Sequence, residues 1–110
     1  MSDTVHFGCE IGTFARAATV ETIIAYLRKH APDHSEFSKL VAREKEFERI
    51  GGWFFDDLSV EALKLLRRLT DQLAADPEAA AHWTPERRPV FYADLDRFRQ
   101  KLAERLSFEH

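Results

Sequence analysis

A chain of 110 residues, 45% hydrophobic and 32% charged, has the size and make-up of one folded domain, too short for two ordinary ones and unlike a disordered tail. Sixteen basic against nineteen acidic side chains leave a net charge of −3, which argues against a nucleic-acid scaffold built on a clustered basic surface. Cys9 is the single cysteine, so no intrachain disulfide forms, and a reducing, cytoplasmic setting is the default expectation.

No apolar run approaches the ~18 residues of a membrane helix, and the start lacks the basic and apolar regions of a signal peptide. The charge is unevenly spread. Residues 1–62 hold seven bases and eleven acids (−4), and residues 63–110 hold nine and eight (+1). Much of the deficit lies in 44–61, where Glu44, Glu46, Glu48, Asp56, Asp57 and Glu61 face only Lys45 and Arg49.

Along the chain, residues 4–11 alternate, with Val5, Phe7, Cys9 and Ile11 on one side and Thr4, His6, Gly8 and Glu10 on the other. Period two predicts a half-buried strand ended by Gly12, with Cys9 as an inert core thiol. A lone strand needs a partner, and residues 53–55 are the available one. A first helix is predicted over about 20–30, capped by Thr19 and stopped by Pro32, with residues 13–18 as a backward extension that would put Phe14 on its apolar face. A second is predicted over about 35–50, capped by Asp33 or Ser35, with Phe37, Leu40, Val41, Phe47 and Ile50 as its stripe and Gly51 as its left-handed C-cap.

The third helix, about 60–75, has the best-written start: Ser59 as N-cap and Leu58 with Leu63 as a hydrophobic staple. Asp76-Pro77-Glu78 restarts a short helix. The last helix, about 90–106, carries Phe91, Leu95, Phe98, Leu102 and Leu106 inward and shows Asp94, Arg97, Lys101, Glu104 and Arg105 to solvent. The expected fold is therefore mainly α: a single globular domain, a compact bundle of four to five short helices with a minor β element.

No motif in this chain specifies a chemistry. His30 and His34 are separated by Pro32 and read as solvated, so no metal is expected. Asp56 and Asp57 precede a capped helix whose positive end attracts anions, which accounts for them without catalysis. Arg67-Arg68 and Arg87-Arg88 are surrounded by acids and read as solvated surface. No phosphate loop, nucleophile motif or Cys-x-x-Cys pair occurs, and no cofactor is expected.

The segment Gly51-Gly52-Trp53-Phe54-Phe55-Asp56-Asp57 stands apart. Alternation sends Trp53 and Phe55 into the core and leaves Phe54 to cover a neighbouring helix or to meet a partner. An aromatic anchor beside an acidic rim has the make-up of a protein-binding hot spot suited to a basic partner. The partner-binding residues expected on this basis are Glu44, Glu46, Glu48, Trp53, Phe54, Asp56 and Asp57. The function expected is that of a non-catalytic bacterial protein of the immunity or antitoxin kind, blocking a basic toxin. The alternatives are a homo-oligomerisation module, burying its aromatics against a second copy, and a small enzyme using Asp56, Asp57 or a histidine.

Overall fold

The computed structural model describes residues 2–108. Two strands, β1 (Ser2–Gly8) and β2 (Ile11–Arg16), lead into three helices, α1 (Ala17–His30), α2 (Ser35–Ala42) and α3 (Glu44–Ile50). A short strand, β3 (Gly52–Phe54), precedes α4 (Val60–Ala75) and α5 (Arg88–Leu106). The chain is mainly α with a small three-stranded sheet of order β2-β1-β3. Within the described residues no helix is long and apolar enough to cross a membrane.

The N-terminal strand does pair with the aromatic segment: Val5 lies opposite Trp53 and His6 opposite Phe54 in a parallel ladder. It also pairs antiparallel with β2, Thr4 opposite Phe14 and His6 opposite Gly12, through a bulge between His6 and Gly8. The sequence reading missed this hairpin. Its turn is Cys9-Glu10, both at positive φ (53° and 62°), the backbone that normally selects Asn-Gly. Without that signature the alternation ran straight through the turn. Cys9 is consequently exposed, not a core thiol, and Gly12 lies inside β2 instead of ending β1. A Cβ on Gly12 would sit 2.6 Å from the Val5 carbonyl oxygen, which is why glycine stands there. Phe14 belongs to β2, not to a helix face, and is 63% exposed.

The inner face of this sheet packs on α4 and α5, and α3 sits at the β3 edge, where Phe47 touches both Trp53 and Phe54. Val5, Phe7, Trp53 and Phe55 turn inward and are fully buried with Phe91, Leu95, Phe98 and Leu102 of α5 and Leu63 and Leu66 of α4. Phe98 meets the edges of Phe7 and Phe55 at 4.9 and 5.5 Å, the T-shaped geometry aromatic pairs favour. Trp53 brings a polar atom inside and satisfies it: its Nε1 donates to Asp3 at 3.1 Å.

α1 begins at Ala17, and Thr19 is not its cap. The reason is Asp94, which is wholly buried and not, as its charge suggested, on the wet face of α5. Its carboxylate accepts from the Arg16 main-chain N–H (3.0 Å), the Arg16 guanidinium (3.1 Å), the Thr19 hydroxyl (2.9 Å) and Arg97. Asp94 thus caps α1 from another helix and joins the end of β2 to α5. On α5 it sits three residues from Phe91 and four from Phe98, squarely on the inward side.

The predicted second helix is broken at Arg43, giving α2 and α3. Its N-cap is His34, whose Nδ1 accepts from the Phe37 N–H at 3.3 Å. The break changes the facing of α3, so Ile50 is 56% exposed while Phe47 stays buried. Gly51 takes the expected left-handed C-cap (φ 70°). Ser59 caps α4 as predicted, its hydroxyl accepting from the Ala62 N–H. Residues 77–83 form successive turns and no helix.

Candidate functional site

The seven residues expected to bind a partner separate into three environments. Trp53 is inside the core and offers no surface. Glu44 and Glu48, one helical turn apart on α3, face α1. Glu44 accepts from Arg28 at 2.7 Å. Glu48 lies against Glu21, whose carboxyl is held above the ordinary glutamate value by burial first and by Glu48, Glu44 and Asp3 after it. Glu46 and Asp57 lie on the other side of α3 and share Arg43, at 3.3 and 3.5 Å. The guanidinium hydrogen bonds hold the Glu46 carboxyl below its ordinary value.

Asp56 and Asp57 were expected to answer the positive end of α4. The carboxylate hydrogen-bonded at that entry is Glu36. It accepts from the Ser59 main-chain N–H at 2.7 Å and from the Ser59 hydroxyl at 2.6 Å, and those bonds lower its pKa. Asp57 is taken up by Arg43. Asp56 is exposed and has no ion pair among the described residues.

Phe54 and Asp56 meet on the outer face of the sheet. Because paired residues project to the same side, the register puts Thr4, His6, Gly12, Phe14, Gly52 and Phe54 together on the side opposite the core. The Phe54 ring is half-buried and stacks on His6 with centroids 4.7 Å apart and planes 5° from parallel. On its other flank it touches Phe47 of α3 at 5.7 Å. It also leans over Gly52, where a Cβ would come within 3.3 Å of the ring. His6 Nε2 is 3.1 Å from the Thr4 hydroxyl.

Thr4, His6, Gly12, Phe14 and Phe54 line a trough of about 570 Å³ that also takes in the hairpin turn and Asp56. No helical residue lines it. Its charged lining residues are Glu10 and Asp56. Arg105 approaches from below, donating from Nε to the Phe7 carbonyl at 3.1 Å.

A second concavity of about 620 Å³ separates α1 from the turns at 76–87. Its walls are Tyr26 and Trp83, and the Trp83 indole N–H donates to the Thr22 hydroxyl at 3.2 Å. Its volume is in the range of small-ligand sites, but its rim mixes Glu21, Asp76 and Glu78 with Lys29 and Arg87, so charge selects no ligand class. Sequence reasoning found neither concavity. For the trough the available signal was the alternation on both sides of Gly12, which puts His6, Gly8, Gly12 and Phe14 at alternate positions. No group of three or more His, Cys, Asp or Glu among the described residues is arranged to hold a metal.

No protein-family model, curated protein or solved structure matches the chain.

Proposed function

We propose that this is a non-catalytic, cytoplasmic protein-binding protein of the immunity or antitoxin kind, which docks a basic protein on the outer face of its sheet. The observation that carries the reading is an uncovered sheet face holding an exposed Phe14 and the His6–Phe54 stack, with Glu10 and Asp56 as its charged lining. Interface centres are rich in aromatic residues, and truncating one in a desolvated pocket costs the most affinity. The acidic lining suits a basic partner, whose approach it accelerates.

Compared with the sequence reading, the proposed surface keeps Phe54 and Asp56 and adds His6, Phe14 and Glu10. Glu46 and Asp57 flank it through Arg43, whereas Glu44 and Glu48 lie towards α1. The experiment is co-purification with the products of the genes adjacent to its own, followed by calorimetry on any basic protein retained. Asp56→Lys and Phe54→Ala are expected to weaken that complex at least tenfold each, about 1.4 kcal/mol. A complex that keeps full affinity in both variants would remove the sheet face from the reading. A stable homodimer through the same face would replace it with the oligomer alternative.

A further inference from the structure

We infer that the trough is built to receive an arginine side chain of the docked protein, a statement that rests on the docking reading and specifies its anchor. Shape comes first. Across the sheet the row runs Gly12, His6, Phe54. Phe54 covers one side of the His6 ring, and Gly12, on the other side, has no side chain to fill the space above it. The result is a slot floored by backbone, with the flat imidazole beside it and Phe14 in the neighbouring row. A thin, planar group fits such a slot better than a tetrahedral one.

Charge comes second. Glu10 and Asp56 are exposed, line the trough, and have no ion pair among the described residues. A guanidinium stacked on an aromatic face with a carboxylate at its edge satisfies both demands together, because it is flat, weakly hydrated and donates in a fixed fork. An ammonium can answer only the charge.

The same chemistry already operates within the chain, next to the trough. Arg43 lies over the Phe47 ring at 4.7 Å while bonding Glu46 and approaching Asp57. Phe47 is in turn the ring that backs Phe54. An incoming arginine on the open face of His6, with a carboxylate of the trough lining at its edge, would repeat that arrangement at the opposite end of the Phe47–Phe54–His6 row.

The test is a titration of the isotopically labelled full chain with a blocked tetra-arginine peptide and, separately, with tetra-lysine, read by amide chemical shifts. The arginine peptide is expected to shift Gly12, Phe14 and Phe54 and to bind about fivefold more tightly than the lysine peptide. Asp56→Asn and His6→Ser, both at accessible positions, are expected to abolish that preference while leaving the rest of the spectrum in place. Equal affinity for the two peptides, shifts confined to the Glu44–Glu48 side of α3, or no shift with either peptide would each overturn the arginine anchor. If the adjacent-gene partner binding is lost in Phe54→Ala while the peptides are not distinguished, the docking surface stands and only the anchor fails.

Discussion

The two faces of the small sheet are made from the same strands and do opposite work. Inward, Val5, Phe7, Trp53 and Phe55 are fully buried against α4 and α5. Outward, the residues between them, Thr4, His6 and Phe54, stand with Phe14 along a trough that no helical residue lines, α3 reaching only the far flank of Phe54 through Phe47. A one-residue shift along a strand therefore separates a side chain that holds the fold from one available for contact. The difference teaches that aromatic content alone says little here. Trp53 and Phe54 are neighbours of similar chemistry, and only the side of the sheet distinguishes their roles.

The contrast can be broken most directly by truncating those neighbours. Trp53→Ala should cost about 4 kcal/mol of unfolding free energy, the range for a large buried aromatic. Phe54→Ala, losing a half-buried ring and one stack, should cost about 1 kcal/mol. Urea unfolding of the two variants checks this, and equal losses would mean that the outer face is as structural as the inner.

Asp94→Ala comes next. It removes the acceptor for Arg16, Thr19 and Arg97, and should cost about 3 kcal/mol, the low end for a buried ion pair because both arginines are partly solvated. Calorimetric melting measures it. A loss under about 0.5 kcal/mol, the usual surface value, would show that the β2–α1–α5 junction holds without its carboxylate.

Smaller effects sharpen the picture away from the sheet. The Ser59 hydrogen bonds hold the folded Glu36 carboxyl below its unfolded value. Stabilisation from that shift is complete above the unfolded value and is lost as pH falls through the lowered folded one. Glu36→Gln should therefore lower the melting temperature at neutral pH and flatten its decline below about pH 5. Thermal melts across that range decide it, and an unchanged acid slope would discard Glu36 as the helix-entry clamp.

At the hairpin, Cys9 and Glu10 sit at positive φ without being glycine or asparagine. The double change Cys9→Asn, Glu10→Gly should add about 1 kcal/mol of stability, since it supplies the residues this turn favours. A lower melting temperature would contradict the account of the turn.

How much of this was legible depended on whether the sequence carried the local signal. Ser59, Leu58 and Leu63 wrote the start of α4, and the Phe91–Leu106 stripe wrote α5, because capping and period are local properties. The Cys9-Glu10 turn carried no such signature, so β2 and the exposure of Phe14 were missed. The break at Arg43 falls where neither proline nor glycine marks it; it shows in the geometry, where Phe47 faces inward and Ile50 does not. Asp94 reads as solvent-facing by its charge, but its position between Phe91 and Phe98 puts it on the inward side. Phe54 was legible as the odd ring of three, since alternation sends its neighbours inward. That His6 and Gly12 would stand beside it required the register, which no single segment encodes.

Phe14 offers the sharpest test, because it is the most exposed aromatic on the outer face and contributes little to the core. Titration calorimetry of wild type and Phe14→Ser against the basic adjacent-gene product, with melting temperatures recorded on the same samples, measures both roles together. The account predicts a melting free energy within about 0.5 kcal/mol of wild type and a complex weakened at least about tenfold. Undiminished affinity in a normally folded Phe14→Ser variant would contradict the claim that this face of the sheet is the docking surface.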